Sequence, residues 1–405
     1  MLISNSVFKS LNIKNYRLFF FGQIISVIGS WLQMTALPWL VYSMTNSAVL
    51  LGMVAFLSQI FILIISPFAG TFADRYNRKK LLFITQSCLM LEAGILTILT
   101  MTGAIQIWHI FILSTFLGLV NAFDMTIRQS FIIDLVPKEN LMNAIGLNSL
   151  IFNTGRVIGP AIAGIIIAKY GESLCFLFNT ISYIAIIIAL AHIIPIKHTL
   201  EANTAKFKDK LFAASNFVKG NKIVLSMLIV LAVNGIVTVF PIVLMPIFVK
   251  DVYGMTANGL GLFMSAIGVG ALLATITVAG KQNTDNIQKW VFYSSLSLGF
   301  GIVFFSLITN IYSACLFLAI TGYCMVVSMS LTNTYIQINA PSQHRGTVIG
   351  FFIMAFLGFT PIGSLLGGYL ANGLGVKLAS TLGAVITIIV SLYLKNKLLG
   401  NQNKG

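Results

Sequence analysis

Long apolar stretches recur from one end of the chain to the other, separated by short polar breaks. Read from hydropathy, they run approximately 16–42, 48–72, 81–102, 106–124, 141–168 and 172–194. After a longer polar break come 222–249, 258–279, 288–308, 312–334, 346–371 and 375–398. An apolar helix needs about 20 residues at 1.5 Å rise to cross a hydrocarbon core of about 30 Å. In lipid only helices and closed barrels satisfy their own backbone hydrogen bonds. These stretches are rich in Leu, Ile, Ala and Gly and lack the alternation of a barrel strand. The pattern therefore predicts an all-α polytopic membrane protein with twelve transmembrane helices. The first stretch follows Lys9, Lys14 and Arg17 but is too long for a signal core, so it reads as an uncleaved first helix.

Composition removes the soluble alternative. Of 405 residues, 57% are hydrophobic and 9% charged, where a soluble domain carries roughly a quarter charged. The net charge of +15 raises nucleic acid as a partner, but the bases form no stripe on a polar face. They alternate by loop instead. Of 25 Lys and Arg, all but Lys169, Lys250, Lys377 and Arg156 fall in the amino-terminal segment, the loops after even-numbered spans, or the tail. By the positive-inside rule both termini lie in the cytoplasm, which requires an even number of spans. Cys88, Cys175, Cys315 and Cys324 sit within apolar stretches at no metal-ligand spacing and read as small hydrophobes. No metal site or cofactor is expected.

The two groups of six spans echo each other. Pro137, Gly146, Gly159, Gly164 and Gly171 recur as Pro341, Gly350, Gly363, Gly368 and Gly375, all displaced by one interval. The expected domains are a six-helix bundle over 1–194, a cytoplasmic linker over 195–221 and a second six-helix bundle over 222–405. The linker carries Lys206, Lys208, Asp209 and Lys210, with room for one amphipathic surface helix; a solvated tether is its plain reading. Parallel six-span repeats are one plan for transporters, with the substrate site between the halves.

After the second span the chain reads Gly70-Thr71-Phe72-Ala73-Asp74-Arg75-Tyr76-Asn77-Arg78-Lys79-Lys80. This resembles the signature of the major facilitator superfamily between helices 2 and 3, Gly-x-x-x-Asp-Arg-x-x-Arg-Lys. A plain positive-inside loop explains the bases but not Gly70 and Asp74. The resemblance implies the major facilitator fold and a cytoplasmic latch of Gly70, Asp74, Arg75 and Arg78, which an acid at the end of the fourth helix joins. Asp124, with Arg128 one turn on, fits that place; an interfacial ion pair of little energetic weight is the alternative.

In the fifth span Gly146, Gly155, Gly159-Pro160 and Gly164 resemble the antiporter motif of the drug-efflux branch, with Ala163 in place of one glycine. Gly155, Gly159 and Ala163 follow at i,i+4, a smooth stripe for close helix packing. The segments Phe123–Gln129 and Asn143–Asn153, with Pro341 through His344-Arg345-Gly346 to Gly350, resemble the bacterial group of enterobactin-type siderophore exporters and macrolide efflux pumps.

Charges deep in spans are costly and mark function. Arg156 lies mid-span, as an anion-binding group, a cationic switch or a structural arginine. Glu92 is the one carboxylate deep in any span, so it is the candidate coupling acid or a neutral structural glutamate. Trp31, Gln33, Asn121, Asn153, Asn234 and Tyr323 either line an amphipathic cavity or pack helix on helix.

The chain offers no phosphate loop, HExxH or paired carboxylates, so no enzyme is expected. The leading expectation is a monomeric secondary transporter, multi-pass in the bacterial inner membrane. It exports a small amphipathic molecule, drug or siderophore-like, by alternating access with proton antiport. Its partners are that molecule, lipid and protons. Uptake or uniport of an organic anion at Arg156, and a non-transporting sensor or scaffold, are the alternatives.

Overall fold

The computed structural model describes residues 8–196, 207–280, 286–341 and 345–399, except the side chains of residues 66–75, 207–211 and 345–346. A 3₁₀ turn, Lys9–Asn12, leads into α1 (Lys14–Thr45), α2 (Ala48–Arg75), α3 (Arg78–Met101), α4 (Ile107–Ile133), α5 (Leu141–Tyr170) and α6 (Ser173–His192). Then follow α7 (Phe207–Gly220), α8 (Lys222–Val243), α9 (Ala257–Ala279), α10 (Ile287–Leu307) and α11 (Ile311–Asn339). The chain ends with α12 (Arg345–Ile353), a π-turn (Met354–Gly358), α13 (Thr360–Leu374) and α14 (Val376–Leu399). Among the described residues twelve helices are long and apolar enough to cross a membrane. α8 is prolonged to Val252 and α12 with α13 counts as one; α7 is the helix of the linker.

Two helices outrun their apolar stretches. α4 continues past Asp124 to Ile133 because Asp124 pairs with Arg128 one turn on, so the charge does not end the helix. α11 likewise reaches Asn339. Pro38, Pro160 and Pro241 stand inside α1, α5 and α8 without ending them.

The chain divides into two compact units. The first takes Met1–Asn46, Leu57–Glu201 and Thr256–Ser265; the second takes Ser47–Phe56, Ala202–Met255 and Ala266–Gly405. In the first, α1 packs along α6 and α5, and α3 along α6 and α4. In the second, α8 packs along α14 and α13, and α10 along α14 and α11. Counted from the start of each six-span half, these are the same four pairings: first with sixth and fifth, third with sixth and fourth.

The repeated glycines have repeated surroundings. Gly171 and Gly375 end α5 and α13 at φ +84° and +81°, where a side chain would be strained. Gly159 lies against α1 and Gly363 against α8, each the first helix of its half. A Cβ at Gly164 would stand 2.9 Å from the Gly261 Cα within the first unit. One at Gly368 would stand 3.2 Å from the Gly52 Cα within the second. Gly146 and Gly350 have nothing within 4 Å of a Cβ, so helix packing does not account for Gly146, contrary to expectation.

α9 and α11 cross at Gly270 and Gly322, where added side chains would collide with the carbonyls of Ala319 and Ile267. Backbones this close gain van der Waals contact that only small residues permit. Gly322→Val is expected to destabilise the protein by about 1–3 kcal/mol, read as a lower melting temperature of the detergent-solubilised chain.

Candidate functional site

Within the first unit three helices meet at a buried polar node. The Gln33 amide on α1 donates from Nε2 to both Glu92 carboxylate oxygens on α3, at 3.1 and 2.9 Å. Asn179 on α6 donates from Nδ2 to Gln33 Oε1 at 2.7 Å. Ser182 donates to the Asn179 carbonyl at 2.7 Å. Glu92 is 1% exposed, Gln33 3% and Asn179 1%. Gln33 therefore lines no cavity; it is the donor that holds the acid. One turn beyond Asn179, the Tyr183 hydroxyl lies 3.4 Å from Ser30 on α1. Asn179, Ser182 and Tyr183 were not singled out in the sequence, since small polar residues in a span are common and only the fold brings them to Glu92.

The second unit carries a counterpart at equivalent helices. Ser295 on α10 donates to Asn234 Oδ1 on α8 at 3.0 Å and lies 2.9 Å from Ser391 on α14. Asn234 Nδ2 reaches Ser328 on α11 at 3.4 Å. First, third and sixth helices of each half are thus tied by buried polar groups, ionisable in one half only. Asn234, 2% exposed, is a structural residue and not a cavity-lining one. Its amide is held on both sides by serines, as burial demands. Tyr323 is half-buried and packs among the apolar clusters of the same unit.

A second charged cluster joins α3 to α4. Asp124 forms an ion pair with Arg128 and accepts from Thr85 at 2.8 Å and Gln86 at 2.7 Å. Arg78 does not meet Asp124 as the latch reading suggested. It pairs with Asp134 at 3.0 Å and reaches the Ser130 carbonyl at 3.4 Å. Asp134 caps the end of α4, so the guanidinium also faces that helix's negative end. Lys79 does the same for α6, donating to the carbonyls of Ala191 at 3.1 Å and Ile193 at 2.7 Å. The side chains of Gly70, Asp74 and Arg75 lie outside the described residues.

α5 seats Trp31. A Cβ at Gly155 would stand 2.6 Å from Val27 Cγ1 and 2.9 Å from Trp31 Cδ1, and one at Gly159 would collide with the Trp31 side chain. Between these glycines the Arg156 guanidinium lies over the indole, 5.8 Å from its centroid. Pro160, next to Gly159, turns its carbonyl to Gly261. Asn153 donates to the Ser149 carbonyl of its own helix at 3.0 Å. Asn121 is half-buried in α4.

The family described as transmembrane secretion effector matches residues 5–403. The staphyloferrin A transporter of Staphylococcus aureus is 29% identical, covering 92% of this chain and 94% of its own. The enterobactin exporter EntS of Shigella boydii is 25% identical, covering 94% and 91%. Among solved structures, a bacterial homolog to the human lysosomal transporter Spinster, inward-facing and occupied, aligns with a TM-score of 0.71 at 13% identity. It covers 95% of this chain and 94% of its own, a likeness of fold alone.

Gln33→Leu leaves the Glu92 carboxyl without its amide donor. A loss of about 1.5–3 kcal/mol is expected, with part of it recovered in the Gln33→Leu/Glu92→Leu double variant, because an apolar pair strands no polar group. Melting temperatures of the three variants in detergent check this.

Proposed function

The chain belongs to the transmembrane secretion effector family of the major facilitator superfamily, and from that premise we propose that this transporter exports a small amphipathic molecule by alternating access, driven by proton antiport. Members of the superfamily are transporters, not enzymes. The export direction is supported by the enterobactin exporter among its relatives, and a drug or siderophore-like cargo agrees with it. The protein works as a monomer in the bacterial cytoplasmic membrane. Both termini lie inside, where alternation of the basic loops puts them. Its moving bodies are the bundles 1–194 and 222–405, tethered by 195–221.

The observation that carries the coupling is the Glu92 node. Gln33 Nε2 now donates to both carboxylate oxygens while its Oε1 accepts from Asn179. A proton on Glu92 turns one acceptor oxygen into a donor. Gln33 Nε2 is left with one carbonyl oxygen as its strong acceptor and shifts toward it, which disturbs the bond to Asn179. One proton is thereby felt by α1, α3 and α6 together, as a two-state switch of the bundle requires. In the corresponding node of the other half Asn234, Ser295 and Ser391 carry no titrating group, so the proton acts on the first bundle.

At the basic end, Gly70, Asp74 and Arg75 act with Arg78, Asp124 and Arg128 as a cytoplasmic latch. Asp124 has its carboxylate already committed to Arg128, Thr85 and Gln86. It stiffens the α3–α4 corner on which the latch closes, while Arg78 fixes the start of α3 to the end of α4.

Two measurements test this. Deletion cells should accumulate the cargo and complemented cells should release it; equal accumulation, or higher accumulation with the transporter present, rules out export. In everted vesicles Glu92→Gln should abolish accumulation driven by a pH gradient while leaving counterflow exchange in place. Full pH-driven accumulation by that variant removes Glu92 as the proton carrier.

A further inference from the structure

Of the charges well inside the described spans, Glu92, Asp124 and Arg128 all have partners within the protein. Arg156 is the exception. It is residue 16 of the 30 in α5, about 22 Å along the helix from either end at 1.5 Å per residue. From there it cannot snorkel to an interface, as cations near helix ends do. Among the described residues it makes no hydrogen bond and no ion pair, and its one neighbour of note is the Trp31 ring. The side chain is half-buried, so part of it remains open.

The surroundings form a built seat for this cation. Gly155 and Gly159 flank Arg156 and bring Trp31 flush against α5, since neither position tolerates a Cβ beside the indole. The indole face supports one face of the guanidinium by cation–π attraction. It leaves the N–H donors at the edge of the fork unused, five in all on an arginine. That edge matches the two oxygens of a carboxylate or phosphate, which accept two parallel N–H···O bonds. Placing an unneutralised guanidinium at mid-membrane is costly, and an anion arriving with the cargo offsets the cost.

We propose that Arg156, braced by Trp31, binds an anionic oxygen group of the cargo, which makes the exported molecule an organic acid. This rests on the export reading and narrows it to one chemical class. A neutral drug has no use for the seat. An acid gains there both its charge partner and, beside it, an aromatic wall for its apolar part. With the acid bound, the seat carries no net charge through the membrane interior.

The test is binding to the purified full-length chain in lipid nanodiscs, followed by tryptophan fluorescence. The probes are 1-naphthoate, 1-naphthyl phosphate and the uncharged methyl 1-naphthoate. The wild type should bind an anionic probe at least tenfold more tightly than the ester. The stronger of the two anions shows whether carboxylate or phosphate is the group recognised. Arg156→Gln should erase that preference. Arg156→Lys, which keeps the charge without the fork, should retain only part of it, and it stands in should the glutamine variant fail to fold. A wild type that binds the ester as tightly as the acids, or that binds none of the three, overturns the proposal. So does an acid preference that survives in Arg156→Gln with an unchanged melting temperature. If the anion preference holds while complemented cells export nothing, the export reading falls and the anion seat stands. If cells export but the preference is absent, the reverse follows.

Discussion

Inside a hydrocarbon layer a polar group has no water to turn to, so each one must find its partner within the protein. That constraint accounts for most of this molecule. It makes every span a helix; at the helix ends, the bases that open α3 lie on the terminal carbonyls of neighbouring helices, Arg78 on α4 and Lys79 on α6. It gathers the buried amides, hydroxyls and acids into a few nodes where helices cross. A node of this kind holds helices together more selectively than apolar packing, because lipid tails compete with leucine for contacts but offer no hydrogen bonds.

The two halves obey the constraint in the same way and then diverge. First, third and sixth helices are tied at a polar crossing in both. In one half the crossing is Gln33, Glu92 and Asn179; in the other it is Asn234, Ser295 and Ser391. Packing symmetry is kept while chemical symmetry is given up. Arg156 extends the divergence: the repeat places Thr360 at its counterpart, and Thr360 bonds to the carbonyl of Leu357 in its own chain turn. The ionisable equipment is concentrated in the first half, and the second serves as its neutral complement.

Much of this was legible in the sequence. The twelve spans and the repeat follow from hydropathy and from glycines at one interval, whereas the linker, whose plain reading is a solvated tether, carries the helix α7. Fold and family follow from Gly70 through Lys80 and its surroundings. What escaped detection depends on contacts between distant residues. Asn179 lies 146 residues from Gln33, and Asp134 lies 56 from Arg78; no local pattern marks either. The sequence leaves Asn234 between cavity and helix packing because an amide in a span is equally at home facing water or facing serines. α4 reads as ending at Asp124 because hydropathy charges the full cost of a carboxylate without crediting Arg128, Thr85 and Gln86. Gly146 belongs to the same motif but stands nine residues before Gly155, half a turn round the helix, so it falls on the face opposite the packing glycines and meets open space.

Lys79 serves twice, and this bears on how the protein is made. A lysine in that turn biases the hairpin to stay on the side where synthesis occurs. The same ammonium later lies on the last carbonyls of α6, more than a hundred residues downstream. Until α6 is made, the Lys79 ammonium awaits its final partner. A chain in which that early hairpin alone were inverted would hold Lys79 and the end of α6 on opposite faces of the membrane, and this closing staple could not form.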